Sequence, residues 1–317
     1  MDDSIRVSIL VPFYNVEQYF LKCLASIFTQ TYQYVDYVFV DDCSPDNSLK
    51  ILNDALIEYN IEKERYVLVS HKCNEGIAKS RIDCIENARG EYVYFVDADD
   101  WVEKEAIEHM VAACNNGEVD IIGCDFIKDF VSGSMTYHHE EYAESCVGNM
   151  LKCLNYDIAT VLWKLLIRRE LFCHFSISPI NIGEDYIVTI KLFYYANSFR
   201  YIRDAFYHYV QYNPNRLSFQ TLLSINDHIK CVNEVESFMR AKECFDNEVE
   251  HQLLLRKFNI KSNFVLNKNL LDDVAFNTTF PEAKGVWRQM NYSYKENLKF
   301  WLAEHGLFVV LKFFMSL

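Results

Sequence analysis

No Gly-x-Gly-x-x-Gly follows the first apolar run of this chain, and no Gly-Lys-Ser/Thr loop occurs anywhere in it. A dinucleotide-binding fingerprint and a P-loop are therefore both excluded as ways of holding phosphate. Basic residues are in deficit: 31 Lys and Arg stand against 45 Asp and Glu, a net charge of −14. That balance argues against nucleic acid as a partner, because broad contact with its phosphates needs a basic face. The 11 cysteines form no Cys-x-x-Cys pair and do not cluster with His at zinc spacing. An odd, scattered set of thiols suits a reducing compartment. No run approaches the roughly 20 apolar residues of a spanning helix, and Met1-Asp2-Asp3-Ser4 lacks the basic start of a signal peptide. The expectation is a cytoplasmic protein, with no internal repeat and no low-complexity linker.

Carboxylates, by contrast, are concentrated. Asp97-Ala98-Asp99-Asp100 follows the apolar run Tyr92 to Val96. Three carboxylates in four residues repel one another and resist desolvation, so a strand ending this way favours a cation. Oxygen-only ligands point to Mg²⁺ or Mn²⁺. A helix beginning near Glu103, capped by Asp99 or Asp100, is the competing explanation.

Across the first 125 residues, short β-rich runs alternate with helical periods. Strands are expected at 7–11, 37–40, 66–69, 92–96 and 120–123. Helices are expected over 16–30, from Ser48, over 77–87 and from Glu103 to about Asn115. Strands apolar throughout, separated by helices, predict an α/β fold with a mainly parallel sheet covered on both faces. Ligands of such sheets bind beyond the carboxyl ends of the strands. Polar residues recur at those ends: Asn15, Asp41 and Asp42, Asn74, then Asp97 and Asp99. Residues 126–215 are less regular and contain Glu184-Asp185, whereas the periodicity beyond about 220 is helical.

In order along the chain, Val7 through Asn15, Val40 through Asp46, Asn74 through Arg81, Gly90 through Asp100, Trp163-Lys164 and Gly183-Glu184-Asp185 resemble the family-2 glycosyltransferases. Roughly the first 215 residues are covered. The resemblance implies a GT-A, Rossmann-like fold over 1–215, with a nucleotide-sugar-binding half (1–125) and an acceptor half (126–215), followed by a helical region (216–317). It implies a nucleotide-sugar co-substrate, with a UDP-sugar preferred. By the same resemblance, Pro12 and Tyr14 are expected to shape the base pocket, and Asn74 and Arg81 to lie near the nucleotide. Chemistry alone lets Tyr14 stack on a base, Asp41 accept from its N–H, and Asp42 or Ser44 approach the ribose. A turn followed by a helix cap is the competing explanation for Asp41, Asp42 and Ser44.

The diphosphate must depart as an anion, so a metal on Asp99, assisted by Asp97, would act as Lewis acid. An acceptor hydroxyl needs a base. The resemblance carries that role to Asp185, with Glu184 as rival and an acidic first helical turn as the alternative. Inversion at the anomeric carbon is implied too. Trp163 and Lys164 are weak candidates for the acceptor side, and so are His208 and Arg216 for the metal or phosphate. The Gln-x-x-Arg-Trp motif of processive synthases is missing, which favours transfer of one sugar to a saccharide or lipid-linked acceptor. A sugar-phosphate nucleotidyltransferase would show a basic glycine-rich loop near Pro12; a non-catalytic nucleotide-sugar-binding protein is the remaining alternative.

From Pro281 onward five basic residues outnumber three acidic ones, and 298–317 is rich in Phe, Leu, Val and Trp. An interfacial helix on an anionic inner-membrane surface through 295–317 has this composition. A helix packed on the catalytic domain, or on a second subunit in a homodimer, has it as well.

Overall fold

A computed structural model describes residues 5–213 and 221–316. The N-terminal half builds as its apolar pattern predicts. Strand β1 (Val7–Phe13) is buried at every position, and so is β2 (Val35–Asp41). Strand β3 (Tyr66–Ser70) forms the outer edge and β4 (Tyr92–Phe95) is buried throughout. The connecting helices are α1 (Phe20–Phe28), α2 (Ser48–Glu58) and α3 (Ile77–Asn87). On α1 the buried positions Phe20, Cys23, Leu24 and Ile27 fall on one face at helical spacing, and that face lies on the sheet. All four strands are parallel, in the order β3-β2-β1-β4. The chain direction across the sheet reverses at β1, which pairs β2 on one side and β4 on the other. Such a reversal opens a crevice at the carboxyl ends of β1 and β4.

Past Phe95 the sheet changes character. The remaining strands are β5 (Trp101–Val102), β6 (Ile121–Asp129), β7 (Met135–His138), β8 (Leu165–Arg168) and β9 (Phe199–Val210). The full order is β3-β2-β1-β4-β8-β6-β9-β5, with β7 on β6. Here β8 runs antiparallel to β4 and to β6, and β5 antiparallel to β9; only β6 and β9 are parallel. Parallel pairing thus describes the first half of the sheet, and the later strands make it mixed. Trp101 and Val102 differ from expectation for the same reason. They pair with His208 and Tyr207, so helix α4 is Ala106–Ala112 and not a helix from Glu103. Its N-terminal flanking residue is Glu105, which removes the helix-cap explanation for Asp99 and Asp100.

Two further helices follow, α5 (Cys146–Leu154) and α6 (Glu184–Tyr195). Contacts divide the chain into two compact units. The first comprises 1–150 and 158–216, and the second 151–157 and 217–317. The second is helical: α7 (Leu222–Ala241), α8 (Asn247–Leu266), α9 (Asp273–Thr278), α10 (Tyr294–Glu304) and α11 (Phe308–Ser316). Capping boxes start α7 at Thr221 and α10 at Ser293, satisfying backbone donors that a helix start leaves open. No described helix is long and apolar enough to cross a membrane.

Candidate active site

The residues after β1 and β2 are laced together. Ser44 Oγ accepts from the Asn15 backbone N–H at 3.2 Å, and Ser48 Oγ from Val16 at 3.0 Å. Asp46 accepts from the Glu17 N–H at 2.9 Å, while Glu17 accepts from that of Asn47 at 2.9 Å. Asn15 and Cys43 sit at positive φ, 54° and 63°, where these loops turn back. Pro12 lies within β1 in the buried sheet. Tyr14 is 44% exposed beside it, a ring presented to solvent at the crevice. Asp41 is buried and its Oδ1 accepts from the Ser44 N–H at 2.9 Å, so the expected turn is present.

Asp42 has a structural task. Its Oδ1 accepts from the Glu75 N–H (2.7 Å) and its Oδ2 from Gly76 N–H (2.8 Å), which ties down the loop that contains Asn74. Gly76 starts α3 at φ 92°, a region that glycine enters at little cost.

Arg81 on α3 is 4% exposed and collects three carboxylates. Its Nη1 donates to Glu184 Oε1 at 2.6 Å and contacts Asp185 Oδ1; its Nη2 donates to Asp97 Oδ1 at 3.3 Å. Burial opposes the guanidinium charge, but Glu184 and Asp97 outweigh it and hold the group above its ordinary pKa. Burial raises the Glu184 carboxyl despite Arg81. Asp185 sits beside it in the first turn of α6, after Gly183 in the left-handed region, and keeps 18% of its side chain exposed. Asn181, two residues before that glycine, lies over Gly76.

The Asp97–Asp100 turn closes with the Asp100 N–H donating to the Asp97 carbonyl at 3.0 Å. Asp100 is internal: it accepts from Tyr207 Oη (2.8 Å) and the Val210 N–H (2.7 Å). Burial, then the charges of Asp99 and Asp97, push its carboxyl well above the ordinary range. Asp99 accepts from the Asn213 side-chain amide at 2.7 Å. Among the described residues no three His, Cys, Asp or Glu are grouped as a ready metal site. The oxygen donors of Asp97 and Asp99 fit an ion that brings most of its ligands as phosphate and water, as Mg²⁺ does.

Of the weaker candidates, Trp163 is buried and stacks on Tyr207 at 4.2 Å, and Lys164 is buried in an ion pair with Glu140 at 2.9 Å. His208 is buried too, stacked on Trp101 at 3.4 Å between Glu103 (2.8 Å) and Asp129 (3.2 Å). All three are buried among protein neighbours. Arg216 lies outside the described residues. Tyr207, His71 and Asn181, which do shape the site, carry no motif; only their long-range contacts mark them.

The sequence profile described as Glycosyl transferase family 2 matches residues 8–183, more than half of the chain. The chain belongs to glycosyl transferase family 2. The uncharacterized glycosyltransferase EpsJ of Bacillus subtilis is 30% identical over 222 residues, 67% of this chain and 62% of EpsJ. The matched region spans 30% and 60% of two further bacterial relatives, so those proteins extend well beyond it. The fold is shared with S. aureus TarS in complex with UDP-GlcNAc: TM-score 0.64, 18% identity, covering 97% of this chain and 90% of that one. It is also shared with the mannosyltransferase PcManGT of Pyrobaculum calidifontis, in complex with GDP-Man and Mn²⁺: TM-score 0.53, 16% identity, covering 99% and 84%. The family match ends at Gly183, immediately before the acidic pair.

Proposed function

We propose that the protein is a glycosyltransferase that moves one sugar from a nucleotide-sugar, preferably a UDP-sugar, to a hydroxyl of a glycan or lipid-linked acceptor, with inversion. The carrying observation is Arg81. It joins Asp97, at the end of the nucleotide-binding strands, to Glu184 and Asp185, about ninety residues later. In this reading Tyr14 stacks on the base, Asp41 accepts its N–H, and Asn74 and Arg81 flank the nucleotide. Ser44 and Asp42 hold the loops that frame the ribose. A divalent ion held by Asp99 and Asp97 would supply Lewis acidity to the departing diphosphate.

Asp185 is assigned as the base and Glu184 as its buried neighbour. Asp185 is the more exposed of the two, and it stands against the Arg81 guanidinium. It takes the acceptor hydroxyl proton as the oxygen attacks the anomeric carbon. The bond from that carbon to the diphosphate oxygen breaks on the opposite face, and the nucleoside diphosphate leaves. UDP-GlcNAc bound to TarS supports the UDP preference, and Mn²⁺ with GDP-Man in PcManGT supports the metal.

The helical unit is assigned to an anionic membrane surface at the cytoplasmic face. On α10, Tyr294, Leu298 and Trp301 are exposed in one stripe at helical spacing. On α11, Val309, Phe313 and Phe314 are exposed beside Lys312. Apolar side chains with interspersed lysines suit an interfacial helix.

A thermal-shift screen of UDP- and GDP-sugars, with and without Mn²⁺, identifies the donor. NMR of the product then reads its anomeric configuration. Retained configuration overturns the inverting mechanism.

A further inference from the structure

His71 follows β3 and lies between two carboxylates. Its Nδ1 is 2.7 Å from Asp42 Oδ1 and its Nε2 is 2.8 Å from Asp83 Oδ2, with the side chain 5% exposed. A neutral imidazole has one N–H, so it can satisfy only one of them; the other nitrogen would turn a lone pair toward oxygen. Both contacts are satisfied together only by the cation. Asp42 is the same carboxylate that accepts from the Glu75 and Gly76 N–H groups. Asp83 stands on α3, one half-turn past Arg81, and its other oxygen accepts from Lys79 at 2.5 Å. The charged groups around the ring are therefore Asp42 from the β2 end and Asp83 from α3. Lys79 lies behind Asp83, with Glu75 and Glu86 near that lysine.

We propose that His71, as a cation, is a positioning residue for the sugar donor, clamping Asp42 to Asp83 and thereby fixing the Asn74–Gly76 loop and the helix that carries Arg81. The inference rests on the donor-binding reading above. His71 touches neither nucleotide nor sugar in this scheme; it acts through Asp42. Burial works against the imidazolium, but the two carboxylates prevail and lift its pKa above the ordinary value. The clamp is complete below that titration and is lost as pH rises through it. Donor affinity should follow the clamp, whereas the displacement step should not.

The test uses the full chain and UDP as probe. Calorimetric Kd values are taken from about pH 6 to 9, while NMR follows the His71 ring. In the wild type, UDP binding should weaken roughly tenfold as the ring loses its proton, the scale of one charge-assisted hydrogen bond. Asp83→Asn removes one carboxylate without touching Asp42 or the loop. It should move both the ring titration and the affinity midpoint to lower pH. At neutral pH it should raise the donor KM and leave kcat within about twofold. UDP affinity that ignores the ring titration, or a midpoint unmoved in Asp83→Asn, overturns the clamp even if the variant is less heat-stable. The ring titration is readable without nucleotide, so absence of any UDP binding overturns the donor reading separately.

Discussion

One buried guanidinium concentrates the electrostatics of the sheet-containing unit. Arg81 lies within reach of three carboxylates while almost wholly out of water, a position that is stable only because the charges compensate. Arg81→Gln leaves Glu184 buried without its cation. It should cost about 3–5 kcal/mol of stability in a denaturant titration, together with most of the donor affinity. In the proposed mechanism the acidic pair separates by role. Asp185→Asn should lower kcat by about 10²–10⁴-fold with a smaller loss of melting temperature than Glu184→Gln, as expected for loss of a general base. Glu184→Gln should act through stability first. If the two variants show the opposite pattern in kcat and melting curves, Glu184 is the base. Asp185 itself was recognisable in the sequence from Gly183-Glu184-Asp185. Its connection to Arg81 was not, since nothing local links positions separated by about a hundred residues.

Among the elements, the parallel strands were legible because β1, β2 and β4 are buried along their length and all four read as mostly apolar runs. Strand β9 was not: its first half is exposed or half-buried, its second half mostly buried, with no regular period, and it pairs with β5 and β6, whose contribution is visible only in three dimensions. The short β5 displaced the expected start of α4 for the same reason. Gly90, just before β4, shows how tightly the parallel strands are joined. A Cβ there would stand 2.5 Å from the Ser8 nitrogen and 2.9 Å from the Arg6 carbonyl oxygen, both backbone atoms. Its N–H meanwhile donates to Ser8 Oγ at 2.8 Å. Gly90→Ala must push β1 and β4 apart, and a loss of about 1–3 kcal/mol is expected from overpacking of this kind. Circular dichroism melts will read it; an unchanged melting temperature would mean that the strand ends yield freely.

Two predictions concern the whole molecule. In the helical unit His228 is buried against Arg256, and burial, reinforced by that charge, pushes its pKa down to about 3. A depressed folded-state value means that the unfolded chain takes the proton first. Stability is therefore intact above the ordinary imidazole range and falls with acid, by about 1.4 kcal/mol per pH unit until the folded-state value is reached. His228→Leu should flatten this part of the acid-unfolding profile; a profile identical to wild type contradicts the assignment. For the membrane surface, flotation with vesicles rich in anionic lipid should carry the wild type upward. It should fail for Trp301→Ser/Phe313→Ser, and weaken with added salt as lysine attraction is screened. Unchanged flotation of the double variant removes the lipid assignment, and a concentration-dependent dimer seen by light scattering would place a second copy on that face instead.

The order of strands and helices through Val96, the crowding of polar groups at the strand ends and the acidic pair at 184–185 all followed from the sequence by itself. Those features are local: periodicity and turn chemistry act over a few residues. The antiparallel extension, the burial of Trp163, Lys164 and His208, the hydrogen-bond networks around Asp42 and Asp100 and the junction at Arg81 were decided by the tertiary structure alone. Whether a polar side chain faces a ligand or another part of the protein depends on what distant segments bring against it, and only folding supplies those neighbours.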